Sequence, residues 1–329
     1  LRKCQMTEKT VTAAIVTYNR LPLLKESLAA VLAQNNYLSH VIVVDNLSTD
    51  GTKEYLDGLD DARIVVHHAD ENLGGAGGFN QAVRLFGEQL NDDFIWLMDD
   101  DTIPEPDTLS HLVEFTLEHP EVGFVNSQVR WGRVNGNPSW MNVTAPRPFT
   151  WQRYLMNSKE PAVEVVNATF VSVMFSREMV AMVGLPQKEY FIWGDDMEYT
   201  NRIADIKRGY MVMNSIAVHK SKENTKPGDI VAETDDSRLW RYNYEYRNRV
   251  LTARRISKKE MFKVVSVAIL RDWRKTLLRK NVTSRGKKLN IIMRGLWRGL
   301  FFNPAIEYVP GLKIAKTQSL RDSEMDLLD

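Results

Sequence analysis

The chain has 329 residues, 43% hydrophobic and 26% charged, a balance that excludes a largely disordered or fibrous protein and suits about two domains of roughly 150 residues. Its single cysteine, Cys4, excludes an intramolecular disulfide framework, and no run approaches the ~20 apolar residues needed to span a bilayer. The formal net charge of +1 hides a segregation: residues 247–298 hold 17 basic side chains against two acidic ones, Glu260 and Asp272, so this segment carries +15 and the other 277 residues carry −14.

In chain order, VTAAIV (11–16) reads as a strand, and Leu23, Leu24, Ser27, Leu28, Val31 and Leu32 mark one face of a helix opened by Pro22. VIVVD (41–45) is a second strand, followed by the turn LSTDGT and a short helix. IVVHH (64–68), a helix over 79–90 and FIWLM (94–98) continue the alternation. Buried β-branched runs alternating with helices predict an α/β fold with a mostly parallel, Rossmann-like sheet covered on both faces. Ligands bind such sheets beyond the carboxyl ends of the strands. The residues there are polar: Thr17-Tyr18-Asn19-Arg20, Asp45-Asn46, ENLGGAGG (71–78) and Asp99-Asp100-Asp101.

Residues 122–129 and 163–175 read as further strands around a Trp-, Asn- and Pro-rich stretch, 130–151, expected as loops or a lid. WGDDMEY (193–199) leads into a helix, and a strand over 210–218 ends at His219. From about Ser237 the pattern is helical to the end.

Three adjacent carboxylates at a strand end repel one another, a cost that a bound Mg²⁺ or Mn²⁺ removes; an acidic turn capping the next helix is the plainer alternative. The glycine run does not fit a dinucleotide fingerprint, since Asn80 stands where the third glycine belongs. It reads as a flexible loop whose backbone approaches a phosphate or sugar before opening a helix. Asp45 offers an acceptor for a nucleobase N–H, or a turn cap. Asp195, Asp196 and Glu198 offer a general base, or helix capping. His219 is either a structural residue or a metal ligand through a neutral ring nitrogen.

Taken together, TYNR (17–20), VVDN-x-STDGT (43–52), ENLGGAGGFNQA (71–82), WLMDDDT (96–102), WGDDMEY (193–199), His219 and YEYRNR (244–249) resemble the family-2 glycosyltransferases of GT-A fold over about residues 11–250. Within that family the chain looks most like bacterial galactofuranosyltransferases, with rhamnosyltransferases of surface polysaccharides close by. The resemblance implies that Thr17, Tyr18, Arg20 and Asp45 line a nucleotide pocket, with Asn72, Gly74, Gly75, Asp99 and Asp100 completing the nucleotide-sugar site. It implies that Asp99, Asp101 and His219 hold Mn²⁺ or Mg²⁺. Asp196 would be the catalytic base with Asp195 as the alternative, and Trp193 and Glu198 would shape the acceptor site. Gly194, between Trp193 and the Asp pair, departs from the tighter galactofuranosyltransferase motif. The implied reaction is inverting, metal-dependent transfer from UDP-galactofuranose or dTDP-rhamnose to a lipid-linked or polysaccharide acceptor.

The expected organisation is a catalytic domain over 1–236, with a nucleotide-sugar half to about 120 and an acceptor half beyond it, followed by a basic helical region, 237–329. The interleaved basic and apolar residues of that region suit an anionic membrane leaflet, which would place the protein peripherally on the cytoplasmic face of a bacterial membrane. A helical hairpin with a solvated basic face is the alternative. No recognised nucleic-acid motif accompanies the basic segment. A homo-oligomer is compatible with the sequence. The rival functions are a sugar-phosphate nucleotidyltransferase, whose glycine-rich phosphate loop is missing after strand one, and a non-catalytic membrane-bound interaction protein with a decayed site.

Overall fold

The computed structural model describes residues 9–34, 36–134, 137–142, 144–147, 161–221 and 229–312. Of the stretch 130–151, residues 135–136, 143 and 148–151 lie outside them.

Four parallel strands come first: β1 (Val11–Thr17), β2 (Leu38–Asp45), β3 (Ile64–His68) and β4 (Phe94–Asp99). Their crossovers carry α1 (Leu21–Leu32), α2 (Thr52–Asp57) and α3 (Gly74–Gln89). Then follow β5 (Thr102–Pro104), α4 (Thr108–Glu118), β6 (Val122–Val134), β7 (Asn137–Trp140), β8 (Ala162–Val165), β9 (Val173–Ser176), α5 (Arg177–Val183), α6 (Asp195–Ala204) and β10 (Arg208–His219). The sheet order is β3-β2-β1-β4-β9-β6-β10-β5, with β9 antiparallel between β4 and β6.

Strand β1 shows why the sheet is buried on both faces. Ala14 and Val16 enter one core with Phe79, Phe86, Phe175 and Tyr199, while Ala13 and Ile15 enter the other with Leu24, Leu28, Trp96 and Met98. Residues two apart share a face, so a continuous apolar run feeds both cores. Each large side chain buried this way contributes ~1.5–3 kcal/mol.

The chain steps outward from β1 to β3 and returns to β4 on the other side of β1, which makes the carboxyl ends of β1 and β4 the switch point of the sheet. Register pairs Val16 with Asp99, Thr17 with Asp45 and Asp45 with His68, so these ends finish level with one another.

Three expectations are corrected. Within 130–151, expected as loops or a lid, 130–134 continue β6 and 137–140 form β7, paired antiparallel with it. The 163–175 stretch is two strands with different partners, because Ala168 leaves the ladder: its N–H donates to the Thr200 hydroxyl at 3.0 Å and its carbonyl accepts from it at 3.2 Å. The glycine run is not a loop ahead of a helix; α3 begins at Gly74 itself. A Cβ on Gly78 would lie 2.4 Å from Val16 Cγ1, and one on Gly74, whose φ is +68°, would lie 2.1 Å from the Phe191 carbonyl. Close packing of α3 on β1 and on the 190s loop demands these two glycines, whereas Gly75 faces open space.

The basic region forms α7 (Arg241–Ile256), α8 (Lys258–Val267), a widened π-type stretch (Ala268–Trp273), α9 (Arg274–Leu278) and α10 (Arg285–Phe301). It does not hang free of the sheet. Leu251 packs with Ala76 and Tyr190, and Val309 joins the core under α3. Glu307 accepts from Arg84 at 2.8 Å and Lys188 at 2.6 Å.

Candidate active site

The acidic triple lies at the switch point. Asp99 ends β4, Asp100 and Asp101 form the turn, and β5 then pairs its Thr102 with His219 at the end of β10. Thr17 Oγ1 donates to Asp100 at 2.8 Å, and Arg20 donates to Asp100 at 3.3 Å and Asp101 at 2.7 Å. Burial drives the Asp100 carboxyl up to about 6, against the opposing pull of Arg20 and Thr17. Burial and repulsion from Asp101 drive Asp99 to about 7. Asp101 is buried too, but His219 and Arg20 outweigh that effect and hold it below the usual carboxylate range.

Asp99, Asp101 and His219 present ligand atoms within 4.8 Å of one another, a set that fits a divalent cation. His219 Nδ1 lies 2.9 Å from Asn142 Oδ1, an acceptor, so Nδ1 carries a proton. In the neutral ring the Nε2 lone pair then faces the buried Asp101 Oδ1 at 2.9 Å, whereas a ring with a second proton hydrogen-bonds that oxygen. Two acceptors turned toward one point require a cation or a second proton on the ring. Burial pulls His219 down, yet the adjacent Asp101 and Asp99 outweigh it and raise its affinity for that proton.

Across the sheet edge, Asp45 is buried, accepts from the Ser48 N–H at 3.0 Å and meets His68 Nδ1 at 2.9 Å. Tyr18, which directly follows β1, is exposed. Asn46 donates to Asn72 Oδ1 and the Gly74 carbonyl, both at 3.1 Å, and accepts from the Leu73 N–H at 2.8 Å. It thereby sets the turn that delivers Asn72, Gly74 and Gly75.

The Asp pair enters through a contorted loop. Phe191, Trp193 and Gly194 have φ of +63°, +63° and +91°, and side chains other than glycine hold such angles only when their surroundings dictate them. Here the Asn248 side-chain amide donates to the carbonyls of Tyr190 (3.0 Å), Ile192 (3.2 Å) and Trp193 (2.8 Å). Arg247 donates to the Glu189 and Tyr190 carbonyls, and the Ala76 N–H donates to the Phe191 carbonyl at 3.2 Å. Asp195 and Asp196 then form the first turn of α6. Burial, with repulsion from Asp196 and Asp99, raises Asp195 well above the carboxylate range. Burial raises the half-buried Asp196 to about 6.

Glu198 is a correction. It is buried, and its carboxylate is shared by Arg255 at 2.5 Å and Arg202 at 2.9 Å, so it braces α6 against α7 and lies beneath these guanidinium groups instead of facing an acceptor. Trp193 is half-buried, its ring 5.3 Å from Tyr242. Sequence reasoning placed Asn46 at a strand end without a role and missed His68, Asn142, Asn248 and Glu245. Burial raises Glu245 against the pull of Arg249, and it lies within electrostatic reach of Asp196. Glu245 and Asn248 sit inside YEYRNR, which carried the resemblance without a role attached to either residue.

A sequence model of glycosyl transferase family 2 matches residues 12–181 and stops short of the Asp pair. Galactofuranosyltransferase GlfT1 of Mycolicibacterium smegmatis is 30% identical over 204 residues, 59% of this chain and 65% of that protein, so the match spans just under two thirds of the relative's length. A mannosyltransferase, PcManGT from Pyrobaculum calidifontis in complex with GDP-Man and Mn²⁺, aligns with a TM-score of 0.51 at 19% identity, covering 91% of this chain and 77% of that one. GalNAc-T7 with UDP, GalNAc and Mn²⁺ aligns at 0.58 and 14% identity, covering 88% and 55%. These two neighbours support the GT-A fold of the chain.

Proposed function

The chain belongs to glycosyl transferase family 2, and from that premise we propose that it is an inverting enzyme moving galactofuranose or rhamnose from a nucleotide-diphosphate donor to a lipid-linked or cell-surface glycan. Family membership sets aside the nucleotidyltransferase alternative. The observation that carries the reading is the confrontation of two acidic sets, Asp99-Asp101-His219 and Asp195-Asp196, with Asp195 close enough to Asp99 for their charges to interact.

The two carboxylates of the pair are not equivalent. Asp195 is buried and its carboxyl is raised well above the carboxylate range, whereas Asp196 is only half-buried, rises to about 6 and is the one an incoming hydroxyl can reach. Asp196 is therefore the base: it takes the proton of the acceptor hydroxyl as that oxygen bonds to the anomeric carbon. The bond from that carbon to the diphosphate breaks on the opposite face, its electron pair leaves with the phosphate, and the configuration inverts. Asp99, Asp101 and His219 would hold Mn²⁺ or Mg²⁺, which when bound supplies positive charge to the leaving diphosphate. Thr17 and Arg20 brace Asp100 and Asp101, Asp45 and Tyr18 take the nucleobase, and Asn72, Gly74 and Gly75 border the sugar-phosphate.

The acceptor is met at a membrane. No helix among the described residues is long and apolar enough to cross one. Yet Leu270, Leu278, Trp297 and Phe301 are each more than 60% exposed on the basic helices, and Lys263, Arg271, Arg274 and Lys275 ring a shallow open concavity around Val267 and Leu270. Apolar side chains framed by cations suit the surface of an anionic leaflet.

The test is transfer from UDP-galactofuranose or dTDP-rhamnose to an octyl glycoside in the presence of Mn²⁺. Asp196→Asn should lower it by about 100-fold or more. Near-normal transfer by that variant, or transfer undiminished by chelator, would overturn the reading.

A further inference from the structure

Phe191, Trp240 and Tyr244 form a cluster of rings that belongs to none of the buried apolar cores of the described residues. Phe191 stacks on Tyr244 with centroids 5.1 Å apart and planes at 25°, and it meets Trp240 edge-on at 6.0 Å. Trp240 stands at 88° to Tyr244, 6.0 Å away. Stacked and edge-on rings at these spacings hold one another in place, because the negative face of one meets the positive edge of the next. Trp240 nevertheless leaves 43% of its surface in water, a costly arrangement for an indole that serves packing alone.

The cluster's position is as informative as its exposure. Phe191 lies in the contorted loop just ahead of the Asp pair, and its carbonyl receives the Ala76 N–H from the start of α3, beside the donor loop. Glu245, next to Tyr244, is within electrostatic reach of Asp196, and Arg241, next to Trp240, is within reach of Arg20. The rings thus border the start of α3 and the loop that leads into the Asp pair. Arg241 and Arg247 sit over the rings of Trp240 and Tyr244, at 5.7 Å and 4.8 Å from the centroids. Arg241 Nε is buried and finds no hydrogen-bond partner among the described residues. A rigid aromatic surface with a guanidinium at its margin has the chemistry that recognises a sugar: the C–H face of the ring packs on the exposed indole, and a hydroxyl accepts from the outer N–H groups of Arg241.

Resting on the glycosyltransferase reading above, we propose that Trp240, backed by Tyr244 and Phe191 and flanked by Arg241, is the platform on which a sugar ring of the acceptor glycan stacks with a hydroxyl directed toward Asp196. Trp240 is then a residue of the acceptor site and not of the donor site.

The experiment compares the full-length wild type with Trp240→Ala and Trp240→Phe, using octyl galactofuranoside and octyl rhamnoside as acceptor probes with Mn²⁺. Binding of the probes is followed by ligand-observed NMR and transfer by steady-state kinetics. Trp240→Ala should weaken probe binding and raise the acceptor KM by about tenfold, equivalent to about 1.4 kcal/mol. Trp240→Phe should stay within about threefold of the wild type, and UDP affinity should be unchanged in both variants. Unchanged probe binding in a folded Trp240→Ala, or an equal loss of UDP affinity, overturns the platform, as does a wild type that binds neither probe. Probe binding that depends on Trp240 without transfer by the wild type would overturn the enzymatic reading and leave a sugar-binding shelf, so the two failures are distinguishable.

Discussion

Asn248 on α7 holds Trp193 by its main-chain carbonyl, at 2.8 Å, and the same amide nitrogen reaches the carbonyls of Tyr190 and Ile192. One buried side chain thus restrains a loop with three left-handed residues, Phe191, Trp193 and Gly194, at the point where the chain turns into the Asp pair. Removing the donors with Asn248→Ala takes this partner from the Ile192 and Trp193 carbonyls, while Tyr190 keeps Arg247, and loosens the loop. Turnover should fall by about 10–100-fold, the scale of an ångström-sized misplacement of a reacting group. The donor KM should change by less than about threefold, because the nucleotide edge is built on β1, β2 and β4, and the melting temperature should drop by a few degrees, about 1–3 kcal/mol of lost hydrogen bonding. Steady-state kinetics alongside a thermal melt checks this: a donor KM that rises together with the loss of turnover would place the effect elsewhere.

Asp101 Oδ1 and His219 Nε2 lie 2.9 Å apart, joined by a proton on the ring or replaced as partners by a cation that both can ligate. A ligand that binds only the folded state raises the melting temperature as its concentration grows. Mn²⁺ should therefore stabilise the wild type and leave Asp101→Asn and His219→Ala nearly unaffected. Asn142→Ala, which removes the acceptor for His219 Nδ1 without touching a ligand, should weaken Mn²⁺ affinity by about 10–100-fold. Stabilisation of all three variants equal to that of the wild type would place the ion elsewhere.

The carboxyl of Asp196 titrates at about 6 because burial disfavours its charged form. A general base works only when ionised, so the sign follows: transfer is sustained above pH 6 and lost below it. On the acid side, kcat/KM should fall by about tenfold per pH unit. A profile of kcat/KM against pH from 5 to 8 gives the midpoint, and a limb near pH 4, where an unperturbed carboxylate titrates, would show that burial does not tune the base.

The strands β1 to β4 were legible because each is an apolar run of β-branched residues, and the acidic clusters were legible because strand ends in such a sheet converge. What remained hidden depends on partners distant in sequence. The helical start at Gly74 is imposed by Val16 and the Phe191 carbonyl, neither of which a local pattern can announce. Glu198 reads as a site carboxylate until Arg255, 57 positions away, is seen to share its oxygens. Asn248 and His68 likewise act on loops and carboxylates far along the chain. By contrast, the match of His219 with Asp99 and Asp101 was carried by the order of the family motifs and not by anything in its own neighbourhood.

The basic helices offer the last prediction. Met293, Trp297, Leu300 and Phe301 recur at helical spacing along α10, and the rings of Trp297 and Phe301 touch at 5.2 Å. Arg294 and Arg298 flank them, and Leu270, Leu277 and Leu278 are likewise exposed on the preceding helices. Inserting an aromatic side chain into the acyl boundary contributes ~1.5–3 kcal/mol, and each nearby cation adds about 1 kcal/mol at an anionic surface. The two contributions differ in their response to salt, since only the second is screened. Flotation with anionic vesicles should therefore show binding that Trp297→Ser with Phe301→Ser weakens by more than about tenfold at any salt concentration. Arg294→Gln with Arg298→Gln should weaken it by about 30-fold at low salt, the equivalent of two cations, with the difference fading as salt rises. Equal binding of wild type and both double variants to anionic and neutral vesicles, or no binding at all, would remove the membrane from the reading. Self-association abolished by Trp297→Ser with Phe301→Ser would assign the apolar face to a second copy of the chain instead.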